Sequence, residues 1–217
     1  MFIVIEGLDG AGKSTQVALL KEYFATKGLS CEYLHFPRFD APYYGELIAR
    51  FLRGELGEVG QVAPELIATV YAADRCDASP VIRGWLADGK VVIVDRYVLS
   101  NVAYQCAKVE NRDELKQWIL GLEYEYNKIV RADVTLFLDV PFRFTENSLS
   151  RARAGNDRGY LAGKEDIHEA SLALQRAVRE VYLAHNEDNY HIINCADGNG
   201  EMRTAAEISR LIIDKIV

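Results

Sequence analysis

The chain lacks the features that mark membrane proteins, secreted proteins and general nucleic-acid binders. None of its apolar runs nears the roughly 20 residues of a membrane-spanning helix. Met1 leads directly into a strand-like segment, so we expect no signal peptide. The net charge of −7 and the pI near 5.2 argue against the basic surface with which proteins bind nucleic acids or membranes. We therefore expect neither of these partners.

Cysteines are few, and none of them forms a C-x-x-C pair. The four are Cys31, Cys76, Cys106 and Cys195. Without such a pair, neither a zinc site nor a dithiol redox motif is indicated. Scattered cysteines are typical of reduced thiols, from which we expect a cytoplasmic protein.

The most informative segment that is present is a glycine-rich loop behind the first apolar run. Residues 7–15 have the spacing G-x-x-x-x-G-K-S of a phosphate-binding loop. Its glycines let successive backbone N–H groups point at phosphate oxygens, and the helix that follows adds the positive end of its dipole. Lys13 can reach the outer phosphates, and the Ser14 hydroxyl can bind Mg²⁺. The nucleotide-binding residues predicted in this way are Gly7, Leu8, Asp9, Gly10, Ala11, Gly12, Lys13, Ser14 and Thr15.

Strand-like and helix-like segments alternate along the whole chain. This alternation predicts an α/β fold, a P-loop NTPase three-layer sandwich with a five-stranded parallel sheet flanked by helices. The predicted strands cover residues 2–6, 31–36, 91–94, 134–138 and 190–194. Among the predicted helices are 64–87, 100–108, 113–128, 165–185 and 201–217. No repeat or linker interrupts the pattern, so we expect one domain over residues 1–217.

One segment, residues 151–164, is polar and basic and shows no apolar periodicity. A loop of this length inside a compact domain is usually functional, so we expect a mobile lid. A basic run in an acidic protein also favours a role in binding anions. Its cationic residues are Arg151, Arg153, Arg158 and Lys164.

Cationic residues also follow the predicted strands, at the sheet edge where ligands of open parallel sheets bind. Arg38 follows the second strand, and Asp95 and Arg96 end the third. This arrangement suits phosphoryl transfer, whose transition state spreads negative charge over oxygens. A carboxylate in place of Arg38 would indicate a hydroxyl acceptor that needs a base. An arginine suits an acceptor that is already an anion, such as a nucleoside monophosphate.

Two pairs of side chains are candidates for binding a nucleobase. Tyr71 and Arg75 lie four residues apart on one helix face, where a ring can stack on a base and a guanidinium can bind its carbonyl edge. Asn101 and Tyr104 lie three residues apart, just beyond Arg96. By itself, the first pair is more typical of a packed aromatic residue beside a solvated arginine, and the second of a helix-cap region and a packed tyrosine.

Together, these motifs resemble the thymidylate kinase family over essentially the whole chain. The segments that carry the resemblance are residues 6–15, 36–38, 71–75, 95–104, 138–140 and the basic segment 151–164. The resemblance implies transfer of the γ-phosphate of ATP to dTMP, giving dTDP and ADP in dTTP biosynthesis. It also implies Mg²⁺ as a required ion and a homodimer.

The resemblance assigns the phosphate side of the site. It implies that Lys13 neutralises the transferring phosphate and that Arg38 and Arg96 bind the acceptor phosphate. Asp9 would contact the deoxyribose 3′-hydroxyl and help organise Mg²⁺. Asp95 would face both substrate and metal. The Mg²⁺ ligands so implied are Ser14, Asp9 and Asp95.

The resemblance also assigns the base side. Tyr71 stands where the family has a phenylalanine that stacks on thymine, and Arg75 would donate to thymine O4. Asn101 and Tyr104 would line the base and sugar pocket, where Tyr104 would exclude a ribose 2′-hydroxyl.

Two further positions depart from the family pattern. Some members carry an arginine in the phosphate loop where this chain has Gly10, so the lid arginines would supply the missing charge, as in bacterial members. The catalytic residues so implied are Lys13, Asp9, Arg96, Arg151, Arg153 and Arg158. Family members usually start the helix after the lid with an aromatic residue and then a glutamate, whereas this chain has His168 and then Glu169. Glu169 would contact the substrate sugar or Mg²⁺.

Two alternatives remain at this point. One is a kinase for another acceptor, such as dUMP or thymidine. The other is a GTPase-like binding protein, which would need an N-K-x-D motif. Residues 127–130 begin such a motif but lack its aspartate, and no D-x-x-G follows the strand at 91–94.

The placement of Arg75 in the base pocket can be tested by mutation. Arg75→Ala should raise the KM for dTMP far more than the KM for ATP, because Arg75 shares a helix face with Tyr71. Steady-state kinetics with each substrate varied in turn measures this difference. Equal effects on the two constants would contradict the assignment.

Overall fold

The computed structural model describes residues 1–57, 60–152, 159–163, 166–169 and 171–216, and for residues 148–152 it describes the backbone alone. Its centre is a five-stranded sheet in the order β2-β3-β1-β4-β5, in which every pairing is parallel. The strands are β1 (Phe2–Gly7), β2 (Cys31–His35), β3 (Val91–Asp95), β4 (Val134–Asp139) and β5 (Tyr190–Asn194). The predicted α/β fold with a five-stranded parallel sheet is confirmed.

Helices cover both faces of the sheet. They are α1 (Lys13–Thr26), α2 (Tyr44–Leu52), α3 (Pro64–Ala87), α4 (Val98–Cys106), α5 (Arg112–Leu120), α6 (Phe142–Ala152), α7 (Leu172–Leu183) and α8 (Ala205–Ile213). Among the described residues, none of these helices combines the length and apolar composition that crossing a bilayer requires.

The alternation of side chains along the strands explains the three layers. In β1, Ile3 and Ile5 point into a core shared with α1 and α8, whereas Phe2 and Val4 point into a core shared with α3, α4 and α5. Because β1 is the central strand, both of its faces are buried, as its continuous apolar run requires. The loop that follows β1 therefore lies at the middle of the sheet edge.

The predicted helix over 113–128 is not one regular helix. Helix α5 ends at Leu120, and Gly121–Tyr126 continue as a turn of π-helix. The N–H of Asn127 bonds to the carbonyl of Leu122, five residues earlier, at 2.9 Å. Apolar periodicity does not distinguish such a turn from an α-helix, because the two differ by about one residue in the hydrogen-bond ladder.

The predicted start of a helix at residue 165 is also wrong. Asp166 to Glu169 form a turn, and α7 begins at Leu172, behind Ser171. The Ser171 side chain accepts from the N–H of Leu174, which is an N-cap. The last helix likewise starts later than predicted, because a capping box between Thr204 and Glu207 defines its first turn.

Candidate active site

The loop after β1 has the backbone geometry that phosphate binding requires. Gly10 and Gly12 have φ values of 73° and 81°, which a side chain would strain. At Gly7, a β-carbon would come within 3.2 Å of the Ala11 side chain. Gly12 precedes α1 without a side-chain cap, so the first N–H groups of the helix are free to bind an anion.

Lys13 lies in the first turn of α1 and reaches back over this loop. Its Nζ donates to the carbonyl of Leu8 at 3.1 Å and lies 4.0 Å from Oδ1 of Asp95, at the end of β3. Burial and the charge of Arg96 lower the pKa of Lys13. The next residues, Ser14 and Thr15, are exposed. This end of the sheet therefore holds a cation and a hydroxyl beside the free N–H groups.

The residues beside the loop fit a Mg²⁺ ion. Oδ1 of Asp95 is buried and makes no hydrogen bond to any described residue, and the Ser14 hydroxyl is open to solvent. Within the described ranges, no cluster of three His, Cys, Asp or Glu side chains forms a closed metal cage. Mg²⁺ in phosphate-transfer sites is usually held by one or two protein groups and the substrate phosphates, so an incomplete protein shell suits it.

A pocket with a cavity volume of about 110 Å³ opens beside the loop. The structure brings seven of the predicted substrate residues to its wall: Asp9, Tyr71, Arg75, Arg96, Asn101, Tyr104 and Glu169. Since these residues come from the loop, the end of β3, α3, α4 and the turn before α7, the pocket exists only in the folded chain. A concave site on which several polar side chains converge is typical of small-molecule sites.

Asp9 is the centre of the hydrogen bonds at the mouth of this pocket. Its Oδ1 accepts from Arg96 Nη2, and its Oδ2 accepts from the Tyr104 hydroxyl at 2.7 Å and from Gln175 Nε2 at 3.0 Å. Burial alone would raise the pKa of Asp9, but the charges of Arg96 and Lys13 hold this pKa well below its usual range. A carboxylate has about four acceptor sites, so these three donors leave Asp9 one site, on Oδ1, for a further partner.

Arg96 is held in an unusual backbone conformation. Its φ is 65°, in the left-handed region that favours glycine, and its N–H donates to the carbonyl of Ile5 at 2.9 Å. Such strain is typical of residues at functional sites. The residue is 8% exposed, and its side chain also donates to the Ser100 hydroxyl, so the guanidinium is fixed at the pocket.

Arg38 is not among the described side chains that line the pocket. Its guanidinium donates to Asp74 Oδ1 at 2.8 Å and to Asp77 Oδ2 at 2.6 Å, both on α3. In this arrangement Arg38 is neutralised by carboxylates on its own side of the cleft. These bonds use Nε and Nη2, so Arg38 would bind a phosphate through Nη1 or in exchange for one of these partners.

The turn before α7 contributes side chains whose roles the sequence did not indicate. The His168 ring stacks on Tyr104, with ring centroids 5.1 Å apart, and packs edge-on against Phe51. Burial, together with the charge of Lys108, lowers the pKa of His168 well below its usual range, so the ring is neutral at pH 7. Although the residue departs from the family pattern, it forms part of the pocket wall.

Asp166 holds this turn together. Its carboxylate accepts from the N–H groups of His168 and Glu169 and from the hydroxyl of Tyr160. Burial, with the nearby charge of Asp9, raises the pKa of Asp166 to about 6. Glu169 lines the pocket and is half-buried.

Glu6 and Gln175 support the site through hydrogen bonds to its elements. The Glu6 carboxylate is fully buried and accepts from the N–H of Tyr97 at 2.9 Å and of Ser100 at 3.1 Å, at the start of α4. A carboxylate at a helix N-terminus binds unpaired N–H groups favourably. Glu6 stands directly before the phosphate loop, and that position was its only signal in the sequence. Gln175 had none.

The lid lies largely outside the described residues. Arg153, Arg158 and Lys164 belong to the part of the chain that is not described, and for Arg151 only the helical backbone of α6 is described. The predicted catalytic role of these side chains therefore stays a prediction.

Comparisons with known proteins agree with this geometry. A family model described as thymidylate kinase matches residues 5–205. A probable thymidylate kinase of Thermococcus kodakarensis is 37% identical over 193 residues, which are 84% of this chain and 82% of the relative. The thymidylate kinase of Mycobacterium tuberculosis is 34% identical over 184 residues, 84% of each chain. The solved thymidylate kinase of Candida albicans has the same fold, with a TM-score of 0.73 at 24% identity over 99% of this chain and 90% of its own.

The raised pKa of Asp166 predicts a pH-dependent stability. A buried carboxyl whose folded pKa is about 6 contributes stability below its unfolded value of 3.8 and loses that contribution as the pH rises through 6. Asp166→Asn should therefore stabilise the nucleotide-free protein at pH 7.5, by about 1–3 kcal/mol, and less at pH 4.5. Urea unfolding at the two pH values measures this. Asp40→Asn, at an exposed aspartate, is the control. A gain that does not depend on pH would contradict the prediction.

Proposed function

The chain belongs to the thymidylate kinase family, and on that premise we propose how its residues divide the work of phosphoryl transfer. It is an ATP-dependent nucleoside monophosphate kinase that converts dTMP and ATP to dTDP and ADP. The observation that carries the proposal is the hydrogen-bonded set of Asp9, Arg96 and Tyr104. This set joins the phosphate loop to the wall of the neighbouring pocket.

The phosphate loop is the donor side. Its N–H groups and the start of α1 would hold the ATP phosphates, and Lys13 would shift from its loop carbonyls to the phosphate that is transferred. Ser14 and Asp95 would hold Mg²⁺, which neutralises charge on the phosphates when it is bound. Because Asp95 and Lys13 are already close, this side of the site needs little rearrangement.

The pocket is the acceptor side. Arg96, fixed by Asp9 and Ser100, would bind the dTMP phosphate and orient one of its oxygens toward the γ-phosphorus. A dianionic phosphate is itself the nucleophile and needs no strong base, which agrees with a site of cations and strongly ionised carboxylates. Asp9, with its three donors, would face the sugar 3′-hydroxyl. Glu169 would contact the sugar from the turn before α7.

The base would lie deeper in the pocket. Tyr71 would stack on the pyrimidine, and Arg75 would donate to its O4. Tyr104, stacked on His168, forms a rigid wall beside the sugar, where a ribose 2′-hydroxyl would collide. Arg38 would exchange Asp77 for the acceptor phosphate when the cleft closes.

The remaining parts of the proposal rest on the family resemblance. The arginines of the lid, Arg151, Arg153 and Arg158, would supply the positive charge that Gly10 does not bring to the loop. We also propose one kinase domain over residues 1–217, a homodimer and a cytoplasmic location. Light scattering during gel filtration measures the oligomeric state directly.

A panel of acceptors tests the proposed function. The predicted order of kcat/KM is dTMP above dUMP, with dCMP and thymidine far below. Loss of the 5-methyl group costs about 10- to 200-fold in an apolar pocket. In dCMP the 4-amino group meets the Arg75 donors, and in thymidine Arg96 has no phosphate to bind. ADP release in a coupled assay measures each rate.

Two outcomes of this panel would contradict the proposed function. Faster phosphorylation of thymidine than of dTMP would identify a nucleoside kinase, and ATP hydrolysis without any phosphorylated acceptor would leave only a nucleotide-binding protein. Omitting Mg²⁺ serves as a control, because the phosphates of bound ATP would then lack their counter-ion.

A further inference from the structure

Glu123 is a fully buried carboxylate that no motif in the sequence indicates. It lies on the π-helical turn Gly121–Tyr126, and its carboxylate contacts Arg75 of α3. A burial of this kind is costly unless the charge is paired and its oxygens are hydrogen-bonded. Its partners are the two pocket residues that face the base, Arg75 and Asn101.

The contact with Arg75 fixes one edge of the guanidinium. Arg75 Nε donates to Glu123 Oε1 at 3.0 Å and to Oε2 at 3.1 Å, and Arg75 Nη2 also donates to Oε1. Burial disfavours the charge on Arg75, which is 2% exposed, but Glu123 more than compensates and raises the pKa of Arg75. The pair uses Nε and Nη2, so the Nη1 amino group lies outside it.

The contact with Asn101 fixes the orientation of an amide. Asn101 Nδ2 donates to Glu123 Oε1 at 3.0 Å and to the Ala68 carbonyl at 3.0 Å. Both of these partners are acceptors, so the atom between them must be the amide nitrogen. The other atom, Oδ1, is buried and has no hydrogen-bond partner among the described residues, although Asn101 lines the pocket. It is an acceptor that lacks its donor.

We propose that Glu123 is a positioning residue that sets the hydrogen-bonding pattern the pocket presents to a pyrimidine. By holding Arg75 and Asn101 together, it places a donor, Nη1, beside an acceptor, Oδ1. The edge of thymine or uracil offers the complement, the O4 acceptor beside the N3–H donor. Cytosine offers the reverse pattern, an amino group beside an unprotonated nitrogen, and would meet a donor with a donor and an acceptor with an acceptor.

The inference deepens the proposed function and rests on it. A purely structural Glu123 would neutralise the buried Arg75 and leave the choice of base unchanged. The two roles differ in one measurable quantity, the ratio of kcat/KM for dTMP to kcat/KM for dCMP. A change in stability alone moves both values together, whereas a change in the amide or guanidinium orientation moves their ratio.

Glu123→Gln tests the role, because it keeps the size of the side chain and removes its charge. The amide keeps one acceptor oxygen but puts a donor at the position of the other, so it cannot accept from Arg75 through both atoms and hold Asn101 as the carboxylate does. We expect the dTMP-to-dCMP ratio to fall about ten- to a hundredfold, the change that one or two lost hydrogen bonds produce. The KM for dTMP should rise while the KM for ATP stays as in the wild type.

The same turn offers a matched control. Glu125 lies two residues away, is largely exposed and pairs with Arg131 at the surface, so Glu125→Gln should leave the ratio and both KM values unchanged. Glu123→Asp keeps the charge beside Arg75 and is expected to fold even if Glu123→Gln does not. Its side chain is too short to hold both partners, so it should also lower the ratio.

The outcomes separate the inference from the proposed function. A wild-type chain that does not phosphorylate dTMP would refute the proposed function. A wild type that prefers dTMP, with a folded Glu123→Gln or Glu123→Asp whose ratio is unchanged, would refute the inference alone. Equal increases in the KM for dTMP and for ATP would also refute it.

Discussion

The bond between Asp9 and Arg96 is the interaction on which the site depends. It joins the phosphate loop after β1 to the end of β3, and Tyr104 and Gln175 extend the connection to α4 and α7. Four elements are thereby held around one ionised carboxylate. Since the pair is only partly exposed, losing either member would leave a poorly solvated charge, which costs far more than losing a surface ion pair.

Local spacing explains which parts of the site could be predicted from the sequence. The phosphate loop is nine consecutive residues whose chemistry is fixed by their order, and Tyr71 and Arg75 share a helix face. Glu123 and Gln175 carried no such signal, because their partners Arg75 and Asp9 lie 48 and 166 residues away in the chain. Pairings of this range are set by tertiary packing.

The errors in the predicted helices have a related cause. Periodicity indicates that a segment is helical but does not place its ends, which depend on single side chains such as Ser171 and Thr204. It also does not reveal the π-helical turn that directs Glu123 inward. The prediction of a single helix over 113–128 therefore did not indicate Glu123, the residue that organises the base side of the pocket.

The parallel pairing of β1 with β3 has a consequence for the distance between the two reactants. Ile5 is in register with Asp95, so β3 ends two residues before β1 does, and Arg96 leaves the sheet beside the last residues of β1, directly before the phosphate loop. Adjacent strands lie about 4.8 Å apart, so the loop that would hold the donor and the arginine that would hold the acceptor start from neighbouring points of the sheet edge. The hydrogen bonds between the two strands therefore keep the donor side and the acceptor side next to each other, and the side chains need only small adjustments.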